Sequence, residues 1–128
     1  MKHKLLFLLV VLLSSMAAWA EVGDRFQADL LEYEITSEDL LMVAVVGNSG
    51  TQKDIIIPDQ VTNNSTTYNV TGIGDVAFSD CSLLRSITIP ASVTNIGCDV
   101  FSGSSNLRSI TVKDGNECYM SLDGFCTD

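Results

Sequence analysis

The chain has 128 residues, carries 16 acidic against seven basic residues for a net charge of −9, and contains one histidine and four cysteines. That length allows one domain at most. The acidic excess repels phosphate backbones and anionic headgroups, which argues against nucleic acid and lipid surfaces as partners. The single histidine is His3, so the rest of the chain has no Ser-His or Cys-His nucleophile pair and no histidine to ligate a metal.

Residues 1–20 have the layout of a secretory signal peptide. Lys2, His3 and Lys4 make a basic start, Leu5–Leu13 is an unbroken apolar run, and Ala18-Trp19-Ala20 offers a small-residue cleavage site. The run of nine is too short for a bilayer span, which needs about 20 residues, so no membrane insertion is expected after signal removal. The mature chain then starts at Glu21 with five basic and 16 acidic residues, 5 − 16 = −11.

Residues 21–50 predict a β-hairpin that caps the units behind it. Asp29–Thr36 alternates in part, Leu40–Val46 is apolar and β-rich, and Ser37-Glu38-Asp39 supplies the turn. A helix over 37–46 with Ser37 as N-cap is the alternative; Val43, Val45 and Val46 favour strand. Asp54–Pro58 predicts a further strand, with Ile55 and Ile57 inward and Asp54 and Ile56 outward. From Pro58 to Val70 the chain advances 12 residues, against three from Pro90 to Val93, so a nine-residue insertion lies near 61–69. Its polar stretch Asn63–Tyr68 predicts a loop or small hairpin at the edge: either a binding loop presenting an exposed Tyr68, or a neutral insertion.

From Val70 to Gly115 the chain repeats itself. Val70–Ser92 and Val93–Gly115 agree at 12 of 23 positions without a gap. A repeat of this length is the mark of a solenoid, whose units stack because none can bury its apolar face alone. Each copy contains L-x-x-I-x-I: Leu84, Ile87 and Ile89 in the first, Leu107, Ile110 and Val112 in the second. The period of two places the branched residues on one face of a short strand. Gly74 and Gly97 predict a tight corner that uses glycine's backbone freedom. A helical turn or a short irregular segment over 74–80 and over 97–103 is expected to return the chain to the next strand. Asn116–Asp128 breaks the period and reads as an irregular tail, which leaves the last repeat with little cover at its C-terminal end.

The run IPASVTNIG followed by a phenylalanine, with Asp80, Cys81, Leu84 and Ser86–Pro90, resembles the BspA-type leucine-rich repeat family. The likeness spans about Ile55 to Gly115 and continues weakly through Asn116, Tyr119, Ser121, Asp123 and Gly124. It implies a mainly β leucine-rich-repeat solenoid, here with short helical turns and the N-terminal hairpin cap, over residues 51–115. It also implies an exported or cell-surface bacterial protein, or one from a protist, that adheres to host proteins or to other cells.

The candidate binding surface is the outward side of the stacked strands. It comprises Asp54 and Ile56, then Arg85, Ser86 and Thr88, then Arg108, Ser109 and Thr111, with the two arginines one above the other. The alternative is that hydroxyls merely suit exposed strand positions. No catalytic residue, metal site or cofactor is expected. The acidic residues do not form a D-x-D-x-D-G calcium loop, and Cys81, Cys98, Cys118 and Cys126 contain no C-x-x-C pair. Cys81 reads as a buried thiol, and Cys118 with Cys126 as a disulfide that could staple the tail, the pairing being open. The expected function is non-catalytic recognition of an extracellular or host protein or glycan. The alternative is a short family member with no ligand of its own, or the front piece of a larger adhesin. Self-association through the uncapped C-terminal end is a further expectation.

Overall fold

The computed structural model describes residues 20–119. The signal sequence before Ala20 and the tail from Met120, with Cys126, lie outside the described residues. Among the described residues nine strands form two sheets: β1 (Arg25–Ala28), β2 (Leu31–Ser37), β3 (Met42–Asn48), β4 (Asp54–Ile56), β5 (Gln60–Asn63), β6 (Thr66–Ile73), β7 (Ser86–Ile89), β8 (Asn95–Ile96) and β9 (Ser109–Val112). One sheet runs β1-β2-β3-β6-β5 with β8 also on β6, and the other runs β4-β7-β9.

β2 and β3 are the hairpin expected from the first 50 residues, and β1 adds a third antiparallel strand. β3 does more than cap. It pairs parallel with β6, and β6 pairs parallel with β8, through Ala44, Gly72 and Asn95 and then through Val45, Ile73 and Ile96. In the second sheet β4, β7 and β9 are likewise parallel, with Ile55, Ile87 and Ile110 in one row. The molecule therefore has three layers, β3–β4, β6–β7 and β8–β9. The second strand of the hairpin is the first rung of the solenoid.

Among the described residues there is no helix: 74–80 and 97–103 are successive tight turns, the irregular form of the two expected there and not the short helical turn. The cause is the neighbouring layer. Val76 N–H donates to Cys98 O at 3.1 Å, Phe78 N–H to Val100 O at 3.0 Å, and Asp80 N–H to Ser102 O at 2.7 Å. A helix would turn those donors inward onto its own carbonyls and leave the facing layer without partners. Residues of left-handed backbone, Val76, Asp80 and Asp99 at φ 53–54° and Gly103 at 79°, keep the segment from winding up. Gly97 is required for space and not, as expected, for backbone angle. A Cβ there would meet Asp75, whose backbone nitrogen would lie 2.7 Å away and whose Oδ1 accepts the Cys98 N–H.

The core lies between the two sheets. Ile55, Ile57, Ile87 and Ile89 face Val43, Val45, Val70 and Ile73, and Phe78 stacks on Phe101 at 5.9 Å. The first sheet curls: Phe26 of β1 stacks on Tyr33 at 5.4 Å and lies 6.0 Å from Tyr68 of β6, three strands along the sheet from β1. Asn48 joins the hairpin to the first repeat by donating to Ala77 O at 2.9 Å and contacting the Cys81 thiol at 3.3 Å.

Val76 is a β-branched residue held at φ 53° with its side chain 53% exposed, so it gains little packing for its strain. Val76→Asn is expected to raise unfolding free energy by about 1 kcal/mol, read from chemical denaturation. Burial of Tyr33, with the negative charge of Asp29 adding to it, pushes the phenol up to about 12. The folded state therefore holds this proton above pH ~10, where the unfolded chain releases it. Its contribution is complete below that pH and is lost as pH rises toward 12. Denaturation at pH 9 and 11.5 should show a fall of about 2 kcal/mol, most of which Tyr33→Phe removes.

Candidate functional site

The strands of the second sheet bring all eight strip residues together. Parallel pairing sets Asp54, Ser86 and Ser109 in one row and Ile56, Thr88 and Thr111 in the next. Their alternates Ile55 and Ile87 are buried, which forces these rows outward. Within the first row the Ser86 hydroxyl donates to Asp54 Oδ1 at 2.7 Å. Ile56 is 69% exposed at the head of the second row, a large apolar side chain beside the methyls of two threonines.

Arg85 and Arg108 precede the strands and are exposed. Arg108 N–H donates to Arg85 O at 2.9 Å, so they do stand one above the other. Sequence reading missed the third member of this column. Arg85 N–H donates to Lys53 O at 2.6 Å, which makes Lys53 the equivalent residue of the first layer. The signal was present: 85 − 53 = 32, the 23-residue period plus the nine-residue insertion.

The insertion itself is a hairpin. β5 and β6 pair antiparallel from Gln60↔Asn69 to Asn63↔Thr66, and the two loop residues Asn64 and Ser65 have φ of 51° and 68°, the geometry of a tight primed turn. Tyr68 is not the exposed contact that a binding loop would present. It is 3% exposed, because β6 alternation turns it with Val70 into the core beside Phe26.

At the far end of the stack, Phe101, Ile110 and Val112 are only half-buried, whereas Phe78, Ile87 and Ile89 one layer earlier are fully buried. The chain after β9 begins to cover this end with side chains. Asn116 donates to Pro90 O at 3.0 Å and Val93 O at 2.9 Å, and the Tyr119 hydroxyl accepts the Ile96 N–H at 3.1 Å. Cys81 is buried as expected, while Cys98 and Cys118 are exposed.

Two parallel stacks of strands joined by turns, with L-x-x-I-x-I forming one stack, define a leucine-rich-repeat solenoid. The chain belongs to the BspA-type leucine-rich repeat family: the family model described as "BspA type Leucine rich repeat region (6 copies)" matches residues 53–121. The fold is similar to that of a leucine rich cell surface protein from Faecalibacterium prausnitzii, at TM-score 0.65 and 26% identity over 76% of this chain and 25% of that one. It is also similar to a leucine-rich repeat protein from Bacteroides ovatus, at TM-score 0.63 and 32% identity over 70% of this chain and 24% of that one. A leucine-rich repeat protein from Bacteroides capillosus gives 0.62 and 25% over 69% and 64%. The chain thus spans about a quarter of the length of the first two. No curated protein matches it. The family is one of repeat scaffolds of the kind that serve protein interaction.

Thiol accessibility gives a direct check. In the native chain a maleimide reagent should label Cys98 within minutes, and label Cys81 only on unfolding, with the sites read by peptide mass spectrometry.

Proposed function

We propose that the chain is an exported, non-catalytic recognition module that binds an extracellular protein or glycan through the outward face of β4, β7 and β9. The observation that carries this reading is the register of that face. Asp54, Ile56, Ser86, Thr88, Ser109 and Thr111 form two aligned rows on a rigid parallel sheet, with Lys53, Arg85 and Arg108 along one border. A preordered surface loses little entropy on binding. Export is supported by the basic start, the apolar run and the Ala18-x-Ala20 site, and by the cell-surface description of the Faecalibacterium relative. The absence of histidine after His3 supports a non-catalytic role.

A second reading is favoured by the half-buried Phe101, Ile110 and Val112. This three-layer unit would then serve as the front of a longer adhesin, or stack on a second copy, through its last layer. The length of the relatives supports it.

The test is capture of purified extracellular-matrix proteins and mucin glycans by the immobilised full chain. Binding to at least one is expected, weakened about tenfold or more by Thr88→Trp with Thr111→Trp and unchanged by Gln27→Trp on the other sheet. Binding that ignores the double change, or no binding to any member of the panel, defeats the recognition face. Sizing of the same sample by light scattering addresses the second reading, which expects concentration-dependent dimers.

A further inference from the structure

Lys53, Arg85 and Arg108 are three of the five basic residues between Glu21 and Asp128. Backbone hydrogen bonds of 2.6 and 2.9 Å hold them on adjacent rungs, so their backbones repeat at the strand spacing of about 4.8 Å. All three are exposed. Among the described residues none of them takes part in an ion pair; the pair that is present is Arg25 with Glu34 at 3.9 Å. Asp54, beside Lys53, accepts its hydrogen bond from Ser86 instead. The column is thus a run of positive side chains without ion pairs in a molecule otherwise rich in carboxylates. The outward row beside this column is Asp54–Ser86–Ser109, and the next outward row along the strands is Ile56–Thr88–Thr111, with Ile56 more than two-thirds exposed.

We propose that the column and the outward face that runs from it to the Ile56–Thr88–Thr111 row form a docking site for an acidic, amphipathic helical segment of a partner protein, an inference that rests on the recognition face described above. The argument is charge complementarity plus spacing. Lys53 to Arg108 is two rungs, about 9.6 Å. Carboxylates at i, i+3 and i+7 of a helix span about 10.5 Å on one face. The same-face residues of an extended strand repeat every ~6.7 Å and overshoot the column. Each guanidinium takes a carboxylate through paired N–H donors, while Ile56 and the threonine methyls meet the apolar flank of the helix. An anionic polysaccharide shares the charge but makes no use of an exposed isoleucine.

The probe is a fluorescent helical peptide with glutamates at i, i+3 and i+7 flanked by leucines, read by anisotropy against the full chain, with its Glu→Gln counterpart and heparin as comparisons. The glutamate peptide is expected to bind and to weaken as salt is raised. It should lose about fivefold or more in affinity for Arg85→Gln with Arg108→Gln, and the glutamine peptide should lose as much. The double variant should melt no lower than the parent, since removing stacked like charge does not harm the sheet. Equal binding of the two peptides, indifference to the arginine changes, preference for heparin, or a lowered melting temperature overturns the proposal. If the peptide fails while capture sensitive to Thr88→Trp with Thr111→Trp persists, the helical partner is wrong and the recognition face stands. If both fail, both fall.

Discussion

Every layer of this protein donates backbone hydrogen bonds to the next, and the rest of the architecture follows from that demand. The strands meet it in the usual way, but so do the connecting turns, where Val76, Phe78 and Asp80 point their N–H groups at the carbonyls of Cys98, Val100 and Ser102. A unit that must offer donors sideways cannot spend them on a helix. This explains why a β-branched residue sits in the left-handed region at Val76, and why Gly97 leaves room for Asp75 to cap the Cys98 nitrogen. Where backbone runs out, side chains take over: Asn48 at the first junction, Ser104 between Phe78 and Cys81, and Asn116 and Tyr119 at the last layer.

The outward face of β4, β7 and β9 is a by-product of the same ladder. Parallel pairing in strict register turns one residue per unit into a row, so chemistry written once in the repeat is displayed at every rung. The inward rows Ile55–Ile87–Ile110 and Ile57–Ile89–Val112 supply the apolar contact that holds the rungs flat, and the outward rows are then free of structural duty. Burial within the inward rows fades at the last layer, where no further unit covers Ile110 among the described residues.

Much of this could be read from the residues. The L-x-x-I-x-I strands announce themselves by period two inside a period of 23, because side-chain alternation is a local property of a strand. The hairpin at Leu31–Asn48 was legible from its apolar run and polar turn, although its role as the first rung was not, since β3 lacks the V-T-x-I-G wording of Val70–Gly74. Lys53 was missed because nine extra residues displaced it from alignment with Arg85. Tyr68 was misread because its neighbours Asn63–Thr67 are polar, and only the partner strand β3 reveals which side of β6 faces the core. The choice between a helical turn and an irregular segment over 74–80 and 97–103 was not legible, because a lone segment contains no hint of donors claimed by another layer.

The two ends of the first sheet are not alike. β3 is flanked on one side by the antiparallel β2 and on the other by the parallel β6, so that side of the stack is sealed by a change of strand direction. Parallel rungs accumulate only beyond it, toward β8, which is also the order in which the chain leaves the ribosome. The hairpin's own pairing is local in sequence and asks nothing of the units beyond it, so a repeat gained or lost at the far end leaves the register of the rows behind it unchanged.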